Sequence, residues 1–128
     1  MACHFGPPSR PLLGIYHEPA QTPRRTAVLL CYPVGHEYET AHSAFCALAN
    51  SLAREGFGVL RFDYGGTGDS SGDQMDVTLE QWDADMELAA AELKDMSGAA
   101  QISLVGLRFG AVLAARYAMR RPVYDLVL

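Results

Sequence analysis

The chain has 128 residues, of which 49% are hydrophobic and 20% are charged, a balance that predicts one globular domain or part of one. The formal net charge of −5 and the sequence pI of about 5.2 argue against nucleic-acid binding, because that function needs clustered lysine and arginine. No apolar run approaches the roughly 18 residues of a membrane span, and the first residues, MACHFGPPSRP, have no apolar stretch of the kind that a secretory signal needs. We therefore expect a cytoplasmic protein with no nucleic-acid partner and no membrane span.

The chain alternates segments of strand and helix character. Residues 1–11 are proline-rich and are predicted to be a loose N-terminal segment. Beyond them, short apolar runs predict strands, and apolar residues spaced three and four apart predict helices. The predicted strands are 12–17, 26–32, 58–62, 102–105 and 123–128, and the predicted helices are one ending near 55, one from 78 to about 96, and 109–120. Alternating strands and helices predict an α/β fold, a mostly parallel sheet with flanking helices.

Two local signals refine this prediction. Thr78 and Gln81 have the spacing of a capping box, which places a helix start at Thr78. The sequence stops within the apolar run VYDLVL, and a buried strand is an unusual place for a chain end. We therefore expect residues 12–128 to form a partial domain that is truncated in a strand.

The three cysteines are predicted to be reduced thiols. Cys3, Cys31 and Cys46 are an odd number, and apolar residues flank the last two. Cys31 lies in an apolar strand with no histidine obviously paired to it, so we interpret it as an inert core thiol and not as a nucleophile.

The pentapeptide GLRFG, residues 106–110, lies between a predicted strand and a predicted helix. In a nucleophile elbow, written G-x-S-x-G, the residues two positions either side of the nucleophile must lack side chains, because the turn is tight. Gly106 and Gly110 meet this demand, but Arg108 stands at the nucleophile position. An ordinary strand-to-helix turn with small residues for packing is the alternative that this pentapeptide leaves open.

The segment CYPVGHEY, residues 31–38, follows another buried strand. A turn at this place can direct the backbone amide of Val34 or Gly35 into a site at the strand ends. Together with the Phe109 amide at a helix start, that amide would form a two-donor pocket for an oxyanion. The alternative is that Pro33 and Gly35 simply end the strand.

Nucleotide and metal sites are not supported by their motifs. Gly66-Thr67-Gly68 follows a strand, but a Rossmann fingerprint needs a third glycine where Ser71 stands, and a P-loop needs a lysine that is absent. His36-Glu37 begins like the zinc motif H-E-x-x-H, but Thr40 occupies the second histidine position, and His42 is too far along the helix. We therefore predict no cofactor and no metal.

These segments together resemble the N-terminal half of the α/β-hydrolase fold, from Leu12 to Leu128. GFGVLRFD at 56–63, followed by GTGDS at 66–70, is similar to the family's segment after its fourth strand. YPVGHEY, LRFDYGGTGDSSG and VGLRFGA are similar to hydrolase-like proteins associated with exosortase systems and to serine-aminopeptidase-like relatives.

The resemblance implies a triad in the chain order serine, acid, histidine. The family's nucleophile position falls on Arg108, and its oxyanion donors fall on Val34 (or Gly35) and Phe109. The acid and the histidine would lie beyond Leu128.

The function that the resemblance implies is hydrolysis of an ester, thioester or amide of a small molecule. Arg108 stays protonated, so it is neither a nucleophile nor a general base. A guanidinium close to a helix start suits a carboxylate or a phosphate. The alternative is therefore a non-catalytic, hydrolase-derived scaffold that binds an acidic ligand through Arg108. A truncated product without autonomous function is a third hypothesis.

Overall fold

The computed structural model describes residues 1–67 and 78–128. Within these residues the chain forms six strands and three helices, which alternate from the third strand onward. The strands are β1 (Ala2–Phe5), β2 (Leu12–His17), β3 (Thr26–Cys31), β4 (Val59–Phe62), β5 (Gln101–Gly106) and β6 (Asp125–Val127), and the helices are α1 (His36–Arg54), α2 (Leu79–Ser97) and α3 (Phe109–Arg120).

The strands form one sheet in the order β1-β2-β4-β3-β5-β6. β3 is parallel to β4 on one side and to β5 on the other, and β5 is parallel to β6. β1 and β2 extend the sheet in the antiparallel sense. The predicted α/β fold with a mostly parallel sheet and flanking helices is confirmed.

The helices cover both faces of the sheet. The crossover from β3 to β4 and the crossover from β4 to β5 run in opposite directions along the sheet, and right-handed connections then place α1 and α2 on opposite faces. α2 and α3 pack against each other and against β3 and β5, whereas α1 packs against β4 and β2. Every residue of β3 is consequently buried, which explains its unbroken apolar run.

The N-terminal segment differs from its prediction. Ala2–Phe5 forms β1, with Ala2 opposite Ile15 and Phe5 opposite Leu12. Phe5 is buried, and its ring meets that of Phe62 edge to face at a centroid distance of 6.2 Å. The prediction of a loose segment over 1–11 is therefore wrong for these four residues. A short strand of weak local propensity is stabilised here by its partner strand and by burial of one aromatic ring.

The second helix begins and ends as its sequence predicts. The Thr78 hydroxyl accepts a hydrogen bond from the Gln81 amide at 3.2 Å, and the Thr78 amide donates to the Gln81 side chain at 3.0 Å. This is the predicted capping box. The helix ends at Ser97, and Gly98 follows with a left-handed φ of 66°.

No helix within residues 1–67 and 78–128 combines the length and the apolar character that crossing a bilayer requires.

Candidate functional site

Two loops emerge side by side at the carboxyl ends of β3 and β5. These strands are adjacent and parallel, and the register pairs Cys31, the last residue of β3, with Gly106, the last residue of β5. The Leu107 amide donates to the Cys31 carbonyl at 3.4 Å and extends this pairing by one residue. The segment 32–35 and the turn 106–110 therefore lie at the same edge of the sheet, as the parallel topology requires.

The turn at 106–110 holds Arg108 in a strained backbone conformation. Its φ is 59° and its ψ is −124°, and within the described part of the chain it is the one non-glycine residue with a positive φ. A residue in such a region costs about 1–3 kcal/mol unless its surroundings compensate. Arg108 is the residue that immediately precedes α3, so it lies at the crest of the bend and not inside a regular helix.

The two glycines flanking Arg108 are required by close backbone contacts. A Cβ on Gly106 would lie 2.7 Å from the Ala111 Cα and from the Gly110 carbonyl oxygen. A Cβ on Gly110 would collide with the Cys31 carbonyl oxygen, which belongs to the neighbouring strand. Glycine is therefore needed at positions 106 and 110 because the start of α3 packs directly against the backbone of β5 and of β3.

The predicted donor amides lie in the two loops that meet at this edge. The Gly110 and Ala111 amides close the first turn of α3 by donating to Leu107 and Arg108 carbonyls at 3.0 and 2.9 Å. Within the described residues, the Phe109 amide that precedes them makes no hydrogen bond, and the amides of Val34 and Gly35 make none either. Three backbone donors are therefore left for a ligand or for water.

The Arg108 side chain forms an ion pair with Glu37 in the first turn of α1. Arg108 Nε lies 2.8 Å from Glu37 Oε2, and the two side chains are 71% and 54% exposed. An ion pair this exposed contributes about 0–1 kcal/mol and exchanges readily with solvent. Sequence analysis missed Glu37 as a partner, because no spacing rule connects residues in two different loops.

Aromatic side chains join the loops that follow β3, β4 and β5. The Phe109 ring meets the Trp82 ring edge to face at 5.6 Å, and the Trp82 indole donates to the Gly65 carbonyl at 2.9 Å. The Tyr64 hydroxyl donates to the Tyr32 carbonyl at 3.0 Å. These contacts hold the edge of the sheet around the turn at 106–110 in one arrangement.

The loop after β4 is anchored by a buried carboxylate. Asp85 on α2 is fully buried and accepts hydrogen bonds from the Gly65 amide at 2.8 Å and from Arg10 Nη2 at 3.1 Å. Burial raises the pKa of Asp85, while the Gly65 amide and the Arg10 guanidinium oppose that rise. Sequence analysis named neither Asp85 nor Arg10. Of the segment 66–70, Gly68, Asp69 and Ser70 lie outside the described residues.

The remaining candidates have structural partners. Among the described residues, no group of three or more His, Cys, Asp and Glu side chains has the arrangement of a metal site. His42 is bonded to the Tyr32 hydroxyl, with Nδ1 at 3.2 Å from the oxygen. Cys3, Cys31 and Cys46 are free thiols, and full burial raises the pKa of Cys31, which suits a core thiol.

Solved structures of α/β hydrolases match this fold over nearly the whole chain. An alpha-beta serine hydrolase homologue from Coxiella burnetii has a TM-score of 0.80 at 21% identity, covering 98% of this chain and 60% of its own. A serine hydrolase without a lid from Xanthomonas campestris has a TM-score of 0.80 at 22% identity, covering 98% and 58%. Est1E from Butyrivibrio proteoclasticus, with ferulic acid bound, has a TM-score of 0.80 at 21% identity, covering 98% and 51%. At these identities the likeness is one of fold.

The chain spans about 60% of the length of the first two of these structures. No curated protein sequence matches it. The family model described as "Serine aminopeptidase, S33" matches residues 23–127, which is most of the chain and includes both loops at the sheet edge. The chain therefore belongs to the serine aminopeptidase S33 family of α/β-hydrolase fold.

Proposed function

We propose that the protein is a hydrolase of an ester, thioester or amide of a small molecule, and that the turn at 106–110 is its nucleophile elbow. The observation that carries this proposal is the backbone of Arg108, with φ 59° and ψ −124° between two glycines that admit no side chain. An ordinary strand-to-helix connection has no need of a strained non-glycine residue at its crest. Membership of the serine aminopeptidase family supports the same reaction class.

The proposed chemistry uses backbone amides to stabilise the charge that develops during acyl transfer. The amides of Val34 (or Gly35) and Phe109 donate to the oxyanion of the tetrahedral intermediate, since they lie at the sheet edge without other acceptors among the described residues. Arg108 is not the nucleophile, because its guanidinium stays protonated. We propose that water attacks the carbonyl carbon and that Arg108 adds positive charge beside the oxyanion. The tetrahedral intermediate then breaks its bond to the alcohol, thiol or amine, which leaves with a proton relayed from the attacking water through solvent.

The exosortase-associated branch and the cytoplasmic location are parts of this proposal. The branch is supported by the motifs YPVGHEY at 32–38, LRFDYGGTGDSSG at 60–72 and VGLRFGA at 105–111. The location is supported by three free thiols, which suit a reducing compartment.

A non-catalytic scaffold that holds an acidic ligand on Arg108 is the second candidate. The ion pair with Glu37 weighs against it, because a ligand carboxylate would have to displace a carboxylate that already lies 2.8 Å from the guanidinium. The amides of Val34, Gly35 and Phe109, which have no acceptor in the part of the chain that the structure describes, serve either function. The strained backbone at Arg108 favours the hydrolase, since binding an anion does not require it.

The test is hydrolysis of p-nitrophenyl acetate and p-nitrophenyl butyrate by the chain. We expect turnover above the buffer rate, and a fall of at least about tenfold in Arg108→Ala as the cation beside the oxyanion is lost. Arg25→Ala is the matched control, because Arg25 is an exposed arginine before β3 at the opposite edge of the sheet, and its rate should equal that of the parent.

Hydrolysis at the buffer rate by the parent, or an undiminished rate in Arg108→Ala, would contradict the proposal. Parent protein that does not hydrolyse the esters, but binds acetate in a way that Arg108→Ala abolishes, would support the scaffold instead.

A further inference from the structure

A second concave site lies on the α1 face of the sheet, between α1 and the strands β2 and β4. Its volume is about 260 Å³, and it shares no lining residue with the turn at 106–110. Leu13 and Ile15 of β2 form an apolar wall, and Arg61 of β4 supplies the positive charge. We call it the Arg61 pocket. The proposed hydrolase function does not use it.

Sheet register places Arg61 beside Ile15 in this pocket and beside His17, which is not one of the lining residues. Arg61 lies directly opposite Ile15 in the antiparallel β2–β4 pair, so their side chains share a face of the sheet. His17 is two residues after Ile15 and shares that face, because side chains alternate along a strand. Arg61 Nε donates to His17 Nε2 at 3.0 Å, and Arg61 Nη1 donates to the Tyr32 hydroxyl at 3.0 Å.

Arg61 is a half-buried cation whose bonded partners are neutral. None of the ion pairs formed by the described residues includes Arg61, and its Nη2 donates no hydrogen bond among them. On the opposite face of the sheet, by contrast, Arg116 of α3 has a carboxylate partner, Asp83 of α2, at 2.6 Å. A partly buried guanidinium without a carboxylate partner carries a desolvation cost that a bound anion would offset.

The hydroxyl groups of Tyr32 and Tyr38 in the pocket already have acceptors for their hydrogens. Arg61 only donates, so the Tyr32 hydroxyl accepts from it and directs its own hydrogen to His42 Nδ1 at 3.2 Å. The Tyr38 hydroxyl donates to Asp63 Oδ1 at 2.6 Å. Both hydroxyl hydrogens are therefore committed, and within residues 1–67 and 78–128 Arg61 Nη2 is the guanidinium nitrogen that keeps both of its hydrogens for a ligand.

His17 is not a competing cation. Burial lowers the pKa of His17, and the Arg61 charge lowers it further, so the ring remains a neutral acceptor for Arg61 Nε. The positive charge of the pocket is that of one guanidinium.

The rest of the lining selects the kind of anion. Asp63 is 7% exposed, and its carboxylate in the wall disfavours a ligand of high negative charge such as phosphate. The rings of Tyr32 and Tyr38 lie 4.8 Å apart, and Tyr38 stacks on His42 at 5.8 Å. These rings line the same cavity as the apolar side chains of Leu13 and Ile15, a lining that suits a planar apolar body.

We propose that the Arg61 pocket binds a small aromatic monocarboxylate, with the carboxylate on Arg61 Nη2 and the ring between Tyr38 and the apolar wall of β2. The volume of about 260 Å³ accommodates a single ring with a short substituent.

The experiment is a titration of the full chain with benzoate, followed by the NMR signals of the His42 and His17 rings and by calorimetry. We expect saturable binding that shifts both rings, and no comparable binding of benzamide, which has the same shape without the charge. Arg61→Gln should weaken benzoate at least about tenfold, because a charge-assisted hydrogen bond is lost. Arg25→Gln, which removes an exposed arginine outside the pocket, should leave the affinity unchanged.

Three results with the unaltered chain would overturn the proposal: no saturable benzoate binding, equal binding of benzamide, or phosphate binding more tightly than benzoate. The benzamide and phosphate comparisons use the unaltered chain, so they decide the matter even if Arg61→Gln folds poorly. Benzoate binding that survives in folded Arg61→Gln would also overturn it. None of these measurements depends on ester hydrolysis at the turn 106–110.

Discussion

The guanidinium of Arg108 lies 2.8 Å from the carboxylate of Glu37, and this ion pair connects the crest of the β5–α3 turn to the first turn of α1. Both side chains are mostly exposed, so the pair restrains the position of Arg108 without fixing it. It also balances the charge that Arg108 would offer to a substrate. The rate of the proposed reaction therefore depends on how readily the ion pair between Glu37 and Arg108 breaks.

Removing the Glu37 charge should raise the rate of ester hydrolysis. In Glu37→Gln, Arg108 keeps its place but loses its competing carboxylate, so we expect a rate about two- to fivefold above the parent at low salt. The increase should shrink as salt is added, because salt already screens the exposed pair. Glu39→Gln is the control, since Glu39 lies in the same helical turn. Equal rates in the two variants would contradict this role for Glu37.

The backbone strain at residue 108 should lower the free energy of unfolding by a measurable amount. Arg108→Gly relieves a backbone conformation with φ 59°, and we expect it to be more stable than Arg108→Ala by about 1 kcal/mol. Comparing glycine with alanine cancels the loss of the Glu37 pair, since both variants lack it. The free energy of unfolding from urea denaturation is the measurement. An alanine variant as stable as the glycine variant would mean that the turn is relaxed.

Adding a side chain at Gly110 should lower the free energy of unfolding more than adding one at a glycine with open space around it. A Cβ there collides with the Cys31 carbonyl, so Gly110→Ala should cost at least about 2 kcal/mol in the free energy of unfolding. Gly98→Ala is the control, because Gly98 has a positive φ of 66° but no atom within 4 Å of the added Cβ. We expect it to cost about 1 kcal/mol. A smaller loss in Gly110→Ala than in Gly98→Ala would refute this packing.

His17 should make the protein less stable in mild acid. Its pKa is lowered in the folded chain, first by burial and then by Arg61, so the unfolded chain takes up the proton at a higher pH. The free energy of unfolding should therefore fall as pH drops from about 7.5 through the usual histidine value near 6.5 to about 5.5. Since His17→Gln removes the titrating ring, it should flatten this decline. Urea unfolding at the two pH values provides the comparison.

His4→Gln serves as the control for His17→Gln, because His4 is an exposed histidine on β1. Its unfolding free energy should decline with pH as steeply as that of the parent. A decline of the same size in all three proteins would show that His17 is not responsible.

The sequence predicted the features that require a particular residue type or spacing within one short segment. The unbroken apolar run of β3 follows from helices on both faces, and the paired glycines at Gly106 and Gly110 follow from contacts within one turn and with the adjoining strand. The Thr78 capping box is likewise set by residues three positions apart. Such features are visible in the sequence because each demands a residue type or a spacing within one short segment, even where, as at Gly110, the contact is with another strand.

The features that sequence analysis missed depend on tertiary contacts. Glu37 meets Arg108 only because β3 and β5 are adjacent, and Arg61 meets His17 only through the register of β2 and β4. Ala2–Phe5 gains its structure from pairing with β2, which its own residues do not indicate. Strand order and register decide these contacts, and neither can be calculated from the spacing of residues along one segment.

The proposed elbow at 106–110 presents residue 108 beside backbone donors, and the most direct measurement of their effect is the acetylation of an Arg108→Cys variant by p-nitrophenyl acetate. Acetylation forms an oxyanion, whereas alkylation by iodoacetamide does not, so the ratio of the two rates isolates the contribution of the amides. Leu107→Cys is the matched control, because Leu107 is the adjacent residue and is 41% exposed. Peptide mapping by mass spectrometry separates either position from the native cysteines.

We predict that the ratio of acetylation to alkylation at position 108 exceeds that at position 107 by at least about tenfold, since even one oxyanion donor contributes more than this in enzymes. Equal ratios at the two positions would contradict the central claim, because the turn would then offer no oxyanion site.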